Sequence, residues 1–79
     1  MTNRSIQTST SVERFKLIKK VADELGITVE ILAHEGQIVE THDNPRYTVP
    51  PGAYYIRLTR PQHMKNFATF WENLKKLED

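Results

Sequence analysis

The side chains that most often carry out catalysis or bind metal are few in this sequence. It has no cysteine and three histidines, at positions 34, 42 and 63. Neither HxxxH nor HExxH occurs, and these are spacings that place two imidazoles on one metal ion. The three glycines stand far apart, so the chain has no glycine-rich phosphate loop. The sequence therefore predicts a protein that is not an enzyme and that holds no metal and no cofactor.

Basic and aromatic side chains form a second set of candidates. Arginine binds phosphate with a bidentate fork, and tyrosine stacks on nucleic-acid bases. The chain has 11 Lys and Arg against 10 Asp and Glu, a net charge of +1, so any basic site must be local. The residues that could contact nucleic acid are Arg46, Tyr47, Arg60 and Lys65.

Apolar surface is the third candidate, and most of it lies in the last third of the chain. A domain of 79 residues buries only about 60–65% of the surface that its unfolded chain exposes. We therefore expect part of the apolar surface to face a protein partner or a second copy in a dimer. The predicted partner-binding residues lie on an open sheet face and at a helix margin: Leu32, Tyr55, Arg57, Phe70 and Trp71.

Two helices would position these residues. Thr10-Ser11-Val12-Glu13 fits a capping box, apolar residues follow three and four apart, and Gly26 suits a helix end. The first helix is predicted from about Ser11 to Leu25. The second is predicted from Pro61 to Leu77, with Thr59 as its N-cap.

The strands are predicted between the two helices. Residues 27–32 are rich in β-branched side chains, and residues 38–41 would return as a hairpin whose register stays open. Residues 47–49 are a short strand. Residues 53–59 are the clearest strand, with Tyr54, Ile56 and Leu58 on one face and Tyr55, Arg57 and Thr59 on the other.

This order of elements predicts an α+β fold. A small antiparallel sheet, built from a β-hairpin and one or two further strands, has the N- and C-terminal helices on one face (α-β-β-β-α). Residues 1–9 are predicted to be a disordered tail, and residues 10–79 a single domain. No apolar run approaches the roughly 20 residues that span a bilayer, and the chain lacks cysteine, so we expect no membrane association and a cytoplasmic location.

Residues 22–32, ADELGITVEIL, suggest an alternative fold. The run resembles the A-x-x-x-G-I-T pattern of bacterial helix-turn-helix regulators. The resemblance implies a winged helix that binds DNA, with residues 28–35 in the major groove and residues 37–59 as the wing. The order helix, three strands, helix also resembles that of double-stranded-RNA-binding domains, which implies RNA binding.

Taken together, the residues favour a small non-enzymatic binding module. We predict that it regulates or inhibits a protein partner by contact, or associates with itself as a dimer. The alternatives are a DNA-binding transcriptional regulator that uses residues 22–32 and an RNA-binding αβββα module.

Overall fold

The computed structural model of the chain describes residues 4–41 and 43–78. Three strands form an antiparallel sheet in the order β1-β5-β2, and two short strands form a separate two-stranded sheet. Both helices contribute to one core with the central strand, so the predicted α+β class is confirmed. The elements are β1 (Ser5–Ser11), α1 (Val12–Leu25), β2 (Thr28–Ala33), β3 (Ile38–Val39), β4 (Tyr47–Thr48), β5 (Ala53–Thr59) and α2 (Ala68–Glu78).

Strand β1 occupies a region that was predicted to be a disordered tail. It pairs with β5 along its whole length, from Ser5 opposite Thr59 to Ser11 opposite Ala53. The prediction of a tail over residues 1–9 is therefore wrong for residues 5–9, while residues 1–3 lie outside the described chain. Backbone pairing with β5 orders this segment. Its sequence, SIQTSTS, is polar and has almost no apolar alternation from which a strand could be predicted.

The predicted hairpin over residues 27–41 is wrong in its pairing. Strand β2 pairs with β5, from Thr28 opposite Thr59, with an irregularity between Ile31 and Ala33. Strand β3 pairs instead with β4. The chain leaves the main sheet after β2, and there the Gln37 side chain accepts a hydrogen bond from the His34 amide at 2.7 Å. We call the two-stranded sheet of β3 and β4 that follows the β3–β4 ribbon.

The same strand β2 overturns the winged-helix alternative. The segment that would be the recognition helix is extended over residues 28–33. Its β-branched residues favour a strand, and β5 supplies the hydrogen-bonding partner. A helix-turn-helix over residues 22–32 is therefore not formed.

The main core lies between the helices and the sheet. The faces predicted for residues 53–59 are confirmed, because Ile56 and Leu58 are fully buried on the helix side. The first helix ends as predicted at Gly26, whose φ is 75°, a conformation that costs glycine little. Its N-cap is Ser11 and not Thr10, since the Ser11 side chain accepts from the Arg14 amide at 3.1 Å.

The second helix begins at Ala68, seven residues later than Pro61. Thr59 cannot cap a helix at Pro61 because it remains in β5, paired with both edge strands. Asn66 caps the helix instead, since its side-chain oxygen accepts from the Ala68 amide at 2.9 Å.

A second, smaller cluster lies on the opposite face of the sheet. It comprises the buried residues Ala33, Val49, Ala53 and Tyr55, with Val39 and Tyr47 of the β3–β4 ribbon packed against them. The ribbon therefore covers one end of a face that was predicted to be open.

We predict that Phe70→Ala lowers the free energy of unfolding by about 3–5 kcal/mol, because Phe70 is fully buried and its removal leaves a cavity. The adjacent Trp71 is 41% exposed, so Trp71→Ala is the matched control and costs distinctly less. Urea unfolding of both variants measures the difference. An equal loss in the two variants would contradict this packing.

Candidate functional site

The face of the main sheet away from the helices carries three of the predicted partner-binding residues. Arg57 points out from β5 and is half-buried. Its Nη2 donates to both carboxylate oxygens of Glu30 on β2, at 2.9 Å each. Because both side chains remain partly exposed, this pair fixes the position of the guanidinium more than it stabilises the fold.

Tyr55 lies on the same face but is only 8% exposed. Its ring packs at a tilt on Tyr47 of the ribbon, with centroids 5.6 Å apart, and its hydroxyl donates to Gln7 Oε1 at 3.5 Å. Burial raises the pKa of the Tyr55 phenol, and Tyr47 and Asp43 raise it further. The prediction that Tyr55 is an exposed contact is therefore wrong, because the ribbon folds over it.

Leu32 is half-buried at the irregularity in β2 and packs against the same cluster. It is thus close to Tyr55, as the shared face predicted, but much of its surface is used inside the protein. Leu32 and Arg57 are the two sheet-face candidates that keep part of their surface exposed.

The helix-margin candidates lie on the other side of the sheet. Phe70 has 0% exposure within the main core, so the expectation that it lies exposed at the helix margin is wrong. Trp71 stands edge-on to Phe70 with ring centroids 4.8 Å apart and presents its outer part to solvent. The five predicted residues therefore divide between two surfaces separated by the sheet.

The four residues predicted for nucleic-acid contact are unequal in access. Arg46 and Lys65 are exposed, and Tyr47 is half-buried against Tyr55. Arg60 is buried, and its guanidinium donates to the backbone carbonyl of Met64. The Arg60 guanidinium is therefore bound to the segment that leads into α2, and a phosphate could reach it only if that segment moved.

A groove along β1 is the site that the sequence did not reveal. Its volume is about 710 Å³, and it is lined by residues 5–9 of β1, residues of the 41–47 loop, and Tyr55. We call it the β1 groove. Among residues 4–41 and 43–78, Asp43 is the only charged residue that lines it. The groove was missed because its longest wall lies in the segment predicted to be a tail.

Local hydrogen bonds shape the loop that forms the second wall of the β1 groove. The Thr41 hydroxyl donates to the Asn44 carbonyl at 2.8 Å, and the Asn44 amide returns a bond to that hydroxyl at 2.9 Å. The Asn44 side chain then accepts from the Arg46 amide at 3.0 Å. These short-range bonds hold Thr41, Asn44 and Arg46 in place relative to one another beside β1.

The two edges of the main sheet differ. Strand β2 carries a break in register and a charged residue, Glu30, and bulges and charges are the usual means of protecting an edge. Strand β1 is seven residues long and contains no proline, glycine or charged residue. Within the described chain, no strand pairs with its outer edge. The β1 edge is thus a regular row of backbone donors and acceptors beside a groove.

No family model, no curated protein and no solved structure matches this chain. Within residues 4–41 and 43–78, no group of three or more His, Cys, Asp or Glu is arranged to hold a metal ion. In the same part of the chain, no helix has the length and apolar character needed to cross a membrane.

The raised pKa of Tyr55 predicts a loss of stability in alkali. Folding holds the phenol protonated above its ordinary pKa of 10.0, so its contribution to stability is complete below pH 10.0 and is lost as the pH rises beyond it. We expect Tyr55→Phe to reduce this alkaline loss. Urea unfolding between about pH 9 and pH 11 measures it, and an unchanged pH dependence in the variant would contradict a raised pKa for Tyr55.

Proposed function

We propose that this protein is a small non-enzymatic binding module that regulates or inhibits a protein partner by contact, and that it takes up an extended segment of that partner along β1. The observation that carries the proposal is the unprotected edge of β1 beside the β1 groove. An added strand would pair with the outer edge through backbone hydrogen bonds.

The edge is well suited to backbone pairing. Its register with β5 is continuous over all seven residues, so no bulge interrupts the row of backbone groups that a partner could pair with. The Arg60 amide donates to the Arg4 carbonyl at 2.8 Å just before the strand begins, which secures that end. Backbone pairing supplies affinity in such complexes, and side-chain contacts supply selectivity.

The β1 groove supports selectivity for side chains of the added segment. The half-buried ring of Tyr47 contributes to its lining, and aromatic rings are frequent anchors at interfaces. The carboxylate of Asp43 favours a basic side chain in the partner. The DNA-binding alternative has less support, because the proposed recognition helix is strand β2 and Arg60 is buried.

A peptide selection tests the proposed function. Phage-displayed random nonapeptides are selected against the immobilised full chain, and enriched peptides are titrated into the isotopically labelled protein. We expect enriched peptides to shift the amide resonances of residues 5–9 and 41–47. If no peptide is enriched, or if the shifts centre on Trp71 in α2, binding along β1 is contradicted.

The role of Asp43 gives a sharper form of the same test. For enriched peptides that contain Lys or Arg, we expect Asp43→Asn to weaken binding by about two- to fivefold, the effect of losing one exposed ion pair. Asp23→Asn is the matched control, because Asp23 is an exposed carboxylate on α1 that pairs with Lys19. Equal weakening by both variants would show that the groove does not select a basic side chain.

A further inference from the structure

We infer that the β1 edge selects a partner segment whose side chains alternate in chemistry. A basic or small polar residue lies on the side of the sheet that the β3–β4 ribbon covers (the ribbon side), and an aliphatic residue lies on the side of the helices (the helix side). This inference rests on the proposed function, since it specifies the chemistry of the segment bound at the same edge. The pattern concerns the stretch beside residues 5–9, the part of β1 that lines the β1 groove.

The two faces of β1 present different side chains to an added strand. Residues directly opposite each other in a sheet share a face. Ile6 and Thr8 lie opposite the buried residues Leu58 and Ile56, so they lie on the helix side. The residues that alternate with them are polar and lie on the ribbon side: Ser5, Gln7 and Ser9.

The ribbon side of this edge favours a basic or small polar side chain. The Tyr55 hydroxyl donates to Gln7 Oε1 at 3.5 Å, and Asp43 lies close enough to that phenol to raise its pKa. The Asp43 carboxylate is therefore near Gln7 on the ribbon side, and it attracts a basic side chain from a residue opposite Gln7. Arg57, which lies opposite Gln7 on β5, is bound to Glu30 on the far side of β5 from the added strand.

The helix side of the same edge favours an aliphatic side chain. Ile6 is half-buried and packs against the main core, while β1 is the last strand on its side of the sheet. Thr8 is also β-branched and half-buried on this face. An aliphatic side chain opposite either residue would form a cross-strand pair and remove further apolar surface from water.

The alternation sets a rule for the spacing of residues in the partner. A basic residue that faces Asp43 and an aliphatic residue that faces Ile6 must be an odd number of positions apart, because successive side chains of a strand point to opposite faces. At an even separation both fall on one face, and one of the two interactions is lost in every register. The rule is the same for parallel and antiparallel pairing, since both preserve the alternation.

Two peptides of identical composition test this rule. SGTVKVTGS places both valines next to the lysine, whereas SGVTKTVGS places them two positions away. Each peptide is titrated into the isotopically labelled full chain, and its Kd is measured from the amide resonances of residues 5–9. We expect SGTVKVTGS to bind about tenfold more tightly, the effect of two favourable cross-strand pairs.

Variants of the protein assign the preference to the two faces. Ile6→Thr should remove most of the difference between the peptides, because it takes away the aliphatic surface on the helix side. Ile31→Thr is the matched control, since Ile31 is exposed and lies opposite Ile56 on the other edge strand, and it should leave the difference unchanged. Asp43→Asn should weaken binding of SGTVKVTGS by about two- to fivefold. Circular dichroism confirms that each variant keeps its fold, and the two peptides on the wild type decide the matter if Ile6→Thr unfolds.

The outcomes separate this inference from the proposed function. Equal binding of the two peptides at residues 5–9 overturns the alternation and retains the binding module. The same conclusion follows if the peptide selection enriches sequences whose basic and aliphatic residues are an even number of positions apart. If neither peptide shifts the resonances of residues 5–9, the inference is overturned, and the peptide selection decides the proposed function separately.

Discussion

Strand β5 is the constraint on which the rest of the structure depends. It is hydrogen-bonded to β1 on one side and β2 on the other, so neither edge strand belongs to the main sheet without it. The side chains on its two faces also pack into two different hydrophobic clusters. Ile56 and Leu58 pack beneath the helices, whereas Ala53 and Tyr55 pack beneath the β3–β4 ribbon. One strand of seven residues thereby determines where both helices, the ribbon and the free edge lie.

The parts of the fold that follow local rules could be predicted from the sequence. The alternation of β5 assigned each of its side chains to a face, because strand geometry alone fixes that pattern. Gly26 marked the end of α1, because the left-handed conformation at that point is easily adopted only by glycine. The α+β class followed from the combination of these elements, since two apolar helices must cover one side of a small sheet.

The parts that depend on distant pairing could not be predicted in the same way. Nothing in SIQTSTS indicates a strand until β5 is placed beside it, and β2 was assigned to its neighbour in sequence instead of to β5. The candidate site failed for a related reason. Tyr55 is buried because a ribbon from elsewhere in the chain covers it, and Phe70 differs from its neighbour Trp71 only through the packing of α2. The β1 groove became visible only once β1 was a strand.

The central claim is that residues 5–11 form an integral strand with one free edge. In an antiparallel strand, amides that bond to the neighbour alternate with amides that point outward. Amide hydrogen exchange of the protein in dilute solution measures this directly. The account predicts alternating slow and fast exchange along residues 5–11, because only every second amide bonds to β5. Uniformly fast exchange across residues 5–11, as a disordered tail would give, would contradict it.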